Sequence, residues 1–530
     1  MKRPHLVASA VVAGLVCAVF APALRNDFLR GDDDHKILLS PGHGRPAWDT
    51  VRWAFSADAN TVYAQPLTWL AFEATHATFG PDPRAFHAVS VATHAVVAVL
   101  LFLLLWRTTG ALLASAASVA LWAVHPLVVE PVAWATELNA LLASAFALLS
   151  LHAYVRFART RSPASYLAAL AAYAASLLAK PWLFALPVAM LALDVWPLRR
   201  IPDDPADRTR AWSRLVLEKL PMLALGAAWA ALAMRLMEPR AASLAWATAA
   251  RPLGVRLAHA PVAVVRYLGK LVAPVDLAVD YPFPERVPGW QAAAALAVVL
   301  AVTAAVVVAR RRAPALLAGW VWFLALVAPT LGIVQAGAWP AIADRFAYFP
   351  MIGLVAGAVL SIEPLLGERP ALRRAGAAAL AGALAALTLA TRAQTALWRD
   401  SVTLLSHSQA VAPGSSIVEH NLGTELGRRG RLAEAEELLR LAVRHRSTAS
   451  AHNQLGNVLL LGGRVEEAAR EYERAIALDP RSAEALYNLA RILAAQGRPG
   501  EARERYRQFV AVAPPWLEPV KREVERTLLR

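Results

Sequence analysis

Cysteine is nearly missing from this 530-residue chain. Cys17 is the only one, so no intramolecular disulfide can form. Charge is also scarce: 18% of the residues are Asp, Glu, Lys or Arg, against 57% hydrophobic. That balance excludes an ordinary soluble globule and belongs to membrane proteins. There is no phosphate-cradling Walker loop, no dinucleotide fingerprint, no HExxH or CxxC pair and no nucleophile elbow, so the common soluble-enzyme sites are ruled out. The 13 histidines are scattered, and no metal centre is expected. What the chain has in excess is positive charge, +15 at neutral pH. Much of it lies in short loops between apolar segments, where it sets membrane orientation, so nucleic acid is not expected as a partner.

Composition divides the chain into an apolar body, residues 1–392, and a charged helical tail, residues 393–530. The start resembles a secretory signal (Met1-Lys2-Arg3, an apolar core, then Ala21-Pro22-Ala23), but further apolar segments follow, and a retained helix over 6–24 is expected. Val16 does not suit a lipoprotein site at Cys17. Segments long enough to span a membrane read at 6–24, 85–106, 111–128, 134–157, 163–179, 182–197, 216–236, 289–309, 314–333, 348–363 and 375–392. With Lys2-Arg3 inside, the basic loops at Arg107, Arg156–Arg161, Arg199–Arg214, Arg310–Arg312 and Arg369–Arg374 also fall inside. This holds only if 254–272 does not cross. Arg256, His259, Arg266 and Lys270 share one helical face there, which predicts an amphipathic helix in the outer interface. The expected topology is eleven crossings, amino end inside and tail outside.

The tail repeats itself. Gly423, Gly456 and Ala490 are spaced by 33 and 34 residues, as are Ala435, Ala468 and Ala502. The unit Leu455-Gly456…Gly463…Ala468…Tyr472…Ala475…Asp479-Pro480 resembles the tetratricopeptide repeat. About three repeats are expected, with a partial one over 398–412 and a capping helix over 516–530. Such arrays present a concave surface to peptides or proteins; a spacer or dimerisation arm is the plainer alternative.

The eleven-span topology gathers polar residues at the outer face. The first external loop, 25–84, carries Asp32, Asp33 and Asp34, with Tyr63 and Gln65. Later loops add His125, Glu130, Glu137, Lys180, Arg251, Asp276, Asp280, Tyr281, Asp344 and Arg345. Each has a bland reading: His125 before Pro126 caps a helix, Asp344-Arg345 is a local ion pair, and Lys180 snorkels. Together they describe a polar cavity with carboxylates to act as base and cations to hold an anion, a layout suited to a lipid phosphate. A transporter would instead carry charges near mid-membrane.

These residues also carry a family likeness. Asp32-Asp33 with Ile37 and Pro41, Gln65-Pro66-Leu67-Thr68, His87, His94, Val124-His125-Pro126…Glu130-Pro131, Ala179-Lys180-Pro181, Leu193-Asp194-Val195-Trp196-Pro197, Asp276…Asp280-Tyr281-Pro282 and Asp344-Arg345-Phe346 are similar to motifs of the TMTC-type O-mannosyltransferases and their bacterial relatives. The resemblance implies an all-α fold: a polytopic GT-C-like helical bundle followed by a tetratricopeptide solenoid. It implies a bacterial inner-membrane glycosyltransferase with periplasmic repeats, moving a sugar such as mannose from a polyprenyl-phosphate donor to a hydroxyl of an extracytoplasmic protein. Asp32 or Asp33 would be the base, and Ile37 and Pro41 narrow the choice to these two. Lys180, Arg345 or Arg266 would neutralise the leaving phosphate, with His125, Glu130, Gln65, Asp344 and Tyr281 as further substrate contacts. No resident cofactor is implied. Two positions depart from the pattern: Gln65 stands where many relatives carry Arg, and Glu137 and Asn139 stand where the animal proteins have an Arg and an acidic residue. The alternative function is a non-enzymatic membrane-anchored scaffold for envelope protein assembly.

Overall fold

The structure, a computed structural model, describes residues 4–56, 59, 64–241, 251–333, 340–367, 369–514 and 517–527. Lys2, Arg3 and Tyr63 lie outside these ranges. All regular structure among the described residues is helical.

A helix stands under each apolar segment, but the helices differ in length. Among the described residues six are long and apolar enough to cross a membrane: Pro4–Arg25, Pro83–Thr109, Ala135–Thr160, Pro205–Leu232, Gly289–Ala309 and Pro370–Leu397. The expected span at 111–128 is broken into Leu112–Ala123 and Pro126–Ala133, bent by 63°, and counting it as one raises the total to seven. Proline lacks an N–H and forces the residue before it out of the helical region, so His125 is extended (φ −78°, ψ 138°) and the helix turns there. Four further apolar helices, Pro163–Ala179, Leu186–Val195, Pro314–Thr330 and Met351–Leu366, are shorter. At 1.5 Å per residue, Leu186–Val195 reaches only ~15 Å, about half of a hydrocarbon core. By length and composition alone, six or seven of the eleven expected segments are full-length spans among the described residues, and the other four are short.

Burial ranks the helices. In Ala135–Thr160 72% of the apolar window is buried, against 11% in Gly289–Ala309 and 6% in Pro370–Leu397, so the first is central and the other two peripheral. Pro314–Val327 and Met351–Leu366 meet backbone to backbone, because a Cβ on Gly353 would lie 2.5 Å from the Gly319 carbonyl oxygen. Leu253–Val272 is a helix, and part of its basic side is turned inward. Arg256 donates to the Ile333 carbonyl, His259 packs on Phe283 (4.5 Å between rings) and Lys270 reaches Tyr281, while Leu253, Leu257 and Val272 are exposed. Protein acceptors meet Arg256 and Lys270, whereas Arg266 on the same side is exposed.

The tail is built of helix pairs: Ser416–Arg428 with Leu432–His445, Ala449–Leu461 with Val465–Leu478, and Ala483–Ala495 with Pro499–Val512. Ser401–Val411 precedes them and Glu518–Thr527 follows, with Val524 buried in the same core. Gly430, Gly463 and Gly497 take the turn inside each pair at φ 76°, 77° and 73°, a left-handed conformation that glycine adopts without a Cβ penalty. Ala435, Ala468 and Ala502 are buried where the paired helices cross.

The array is docked on one end of the apolar bundle. Asp27 N–H donates to the Arg399 carbonyl (2.9 Å) and Arg30 N–H to Ser401 Oγ (2.8 Å). Val279 N–H donates to Ser408 Oγ (3.2 Å), Ser415 Oγ donates to Asp280 (2.6 Å), and the rings of Trp134 and Trp398 lie 5.8 Å apart.

Candidate functional site at the docked end of the bundle

The loop after the first helix folds back on its own carboxylates. Asp33 is fully buried and accepts backbone N–H groups of Leu29 (2.7 Å) and Thr136 (3.3 Å). Burial pushes its carboxyl up to about 7, the Leu29 bond opposes this, and neighbouring Asp32 adds to it. Asp32, with a side chain 41% exposed, pairs with Lys36 (2.6 Å) one helical turn on. Asp34 closes the loop locally, accepting from Arg30 (3.1 Å) and Gly31 N–H (3.3 Å).

Thr136 ties this loop to a network of alternating charge. Glu137 accepts from Lys180 Nζ (2.6 Å) and lies 3.8 Å from Arg345 Nε. Arg345 pairs with Glu130 and donates its backbone N–H to the same carboxylate (2.7 Å). The guanidinium also lies over the Trp134 ring, 5.8 Å from its centroid. Burial acts to lower Arg345, but Glu130 and Glu137 outweigh it and hold the guanidinium firmly charged; burial holds Lys180 below the usual range. Gln65 accepts from Asn139 (2.9 Å) at the edge of this network. Thr136 Oγ1, Asn139 Oδ1 and Trp134 Nε1 are buried with no protein partner, leaving polar positions for a ligand or water.

A second group adjoins it. Tyr281 donates to Asp344 (3.0 Å) and receives Lys270 (2.8 Å) and Ala278 N–H (2.7 Å). Burial raises the Asp344 carboxyl to about 6, against the pull of Lys270 and Tyr281; Asp280, capped by Ser415, is raised by burial too.

Most of the residues expected from sequence thus converge. Lys180 does not snorkel, and Asp344 and Arg345 do not pair with each other but with Tyr281 and Glu130 respectively. Two expected contacts fall outside the network. His125 caps the turn that follows it, accepting Leu127 N–H (3.2 Å), and reaches the Leu271 carbonyl (3.0 Å), so its ring is spent on backbone. Arg266 is exposed on helix Leu253–Val272 and bonds none of these residues. Sequence reasoning missed Lys36, whose signal was its i,i+4 spacing from Asp32, and Trp398, for which there was none. Among the described residues, no group of three or more His, Cys, Asp or Glu is placed to hold a metal ion.

A second buried network lies at the other end. Tyr154 donates to Asp194 (2.7 Å), Arg200 bridges Asp194 (2.9 Å) and Glu218 (2.7 Å), and Lys219 joins Asp194. Glu137 and Tyr154 are on one helix, so the two networks are separated by ~26 Å along it, close to the thickness of a hydrocarbon core. The second network ties together helices Leu138–Thr160, Leu186–Val195 and Pro205–Ala241.

Comparison with known proteins identifies only the tail. Residues 456–497 match a TPR repeat model and 484–514 a tetratricopeptide repeat model. No curated protein matches the chain. Among solved structures, the crystal structure of yeast Tom70 is similar at 14% identity over 72% of this chain and 91% of that one, but a TM-score of 0.23 carries no argument. The tail is therefore a tetratricopeptide array, a module for binding protein partners, attached to a bundle with several helices apolar enough to cross a membrane.

Proposed function

We propose that the chain is an inverting glycosyltransferase of the bacterial inner membrane, with its amino end cytoplasmic and its repeats periplasmic. It takes a sugar, such as mannose, from a polyprenyl-phosphate donor and gives it to a protein hydroxyl. The observation that carries this reading is the docking of the array on the Asp32–Asp34 loop, through Asp27 to Arg399 and Arg30 to Ser401. A protein held by the repeats is thereby held beside the carboxylates. In the reaction the acceptor oxygen forms a bond to the anomeric carbon as the bond from that carbon to the phosphate oxygen breaks. The hydroxyl proton passes to Asp33 or Asp32, and polyprenyl phosphate leaves with the bonding pair. A carboxyl near 7 suits a base working at neutral pH. Lys180 and Arg345 are placed to stabilise the departing phosphate, once it competes with Glu137 and Glu130 for them.

Glycoproteomics of envelope proteins tests the proposal. A strain carrying only an Asp33→Asn copy should lose the glycopeptides that the wild-type copy restores, and a strain carrying only Asp32→Asn is compared beside it. Normal transfer by both variants would sink it.

A second reading, a non-enzymatic scaffold for envelope assembly, is favoured by a specific observation: the charges pair off within the protein, Asp32 with Lys36, Glu137 with Lys180 and Glu130 with Arg345. On that reading, neutralising Asp32 and Asp33 together leaves the envelope unaffected while deleting 398–515 damages it.

A further inference from the structure

At the end of the bundle remote from Asp33, the last turns of helices Pro83–Thr109 and Leu138–Thr160 enclose a cleft of about 200 Å³. Leu104 and Val155 form its buried apolar wall, and Arg107, His152, Arg156 and Arg159 line the rest. No carboxylate lines it, and none of the three arginines has an ion-pair partner among the described residues. Arg159 is held across the cleft by donating to the Arg107 carbonyl (2.7 Å), and His152 is held by the Leu100 carbonyl (2.9 Å). Glu218, the carboxylate that neighbouring Arg161 reaches, is shared between Arg161 and Arg200 (2.7 Å each).

Topology accounts for the sign of these charges but not for their convergence on one cavity. The carboxyl ends of the two helices supply partial negative charge, too little to balance three guanidinium groups. We propose that the cleft binds the phosphate headgroup of an anionic membrane lipid. Guanidinium forks match phosphate oxygens in pairs, and the Leu104–Val155 wall gives the cleft an apolar side beside them. The volume is below that of drug-sized pockets and fits a headgroup. Basic pockets between membrane helices are known to hold such headgroups.

The test is native mass spectrometry of the delipidated full chain with cardiolipin, phosphatidylglycerol or phosphatidylcholine at equal concentrations. The two anionic lipids should bind in preference to phosphatidylcholine. The triple change Arg107→Ala, Arg156→Ala, Arg159→Ala should weaken cardiolipin binding at least ~10-fold, whereas Arg310→Ala, Arg311→Ala, Arg312→Ala, an equal loss of charge elsewhere, should change it by less than ~2-fold. Lysine at the three positions, which keeps the charge but not the fork, should bind more weakly than arginine and more tightly than alanine. Should the triple variant fail to fold, Arg156→Glu, at an exposed position, should reduce binding in the same direction. Equal loss in both triple variants would reduce the effect to net charge and overturn the proposal. So would equal binding of phosphatidylcholine, or displacement of the lipid by inorganic phosphate at equal concentration, which would make the cleft a small-anion site.

Discussion

Asp33 shows at the residue scale how burial alone changes what a carboxylate can do. Its carboxyl is raised from 3.8 to about 7, so ionising it costs the folded state. The stability it contributes is complete below the unfolded value and is lost as pH rises towards 7. In detergent, the melting temperature should therefore fall more between about pH 5 and about pH 8 in the wild type than in Asp33→Asn. If Asp33 is the base, transfer should rise through the same window. Asp32→Asn, by removing a neighbouring negative charge, should shift that profile to lower pH. Lys180 makes the complementary case. Lys180→Met leaves Glu137 buried without its close partner and should destabilise by about 3–5 kcal/mol, part of which Glu137→Leu in the same chain should restore. Thermal melting of the wild type, Lys180→Met, Glu137→Leu and the double variant measures it.

Elements differ in how openly the sequence declares them. The repeat helices were legible because small residues recur at fixed spacing, and the structure gives the reason: a Cβ on Gly456 would meet Tyr472 Cε1 at 2.7 Å, on a ring fixed by its bond to Asn457 (2.7 Å). Gly456→Ala should cost about 1–3 kcal/mol and speed hydrogen exchange across 449–478 in the full chain. Membrane helices were legible as apolar runs but not as crossings. Hydropathy does not register that Pro126 bends one segment by 63°, nor that Leu186–Val195 has only ten helical residues. The Leu253–Val272 helix was legible from its periodicity, but the carbonyl and the phenol that Arg256 and Lys270 meet were not, and Arg266 on the same side stays exposed.

For the whole molecule, the contact between array and bundle matters most. Removing residues 398–530 should free the backbone N–H groups of Asp27, Arg30 and Val279, and their exchange with deuterium should quicken while the Tyr154–Asp194 network at the far end stays protected. Unchanged exchange at those three amides would mean that the array does not dock.

By itself the sequence determined the class of the protein: an all-helical chain, apolar body first and tetratricopeptide array last, because composition and spacing act locally along the chain. It also supplied the list of polar loop residues from which the cluster is drawn, since loops between apolar segments are read along one dimension. Only the tertiary structure decided the pairings, Lys180 with Glu137 and Arg345 with Glu130, and the burial of Asp33 beneath Thr136. It also turned His125 and Arg266 away from the cluster. Those outcomes depend on which helix ends meet in space, and no local pattern encodes the distance between residues 43 or 215 positions apart.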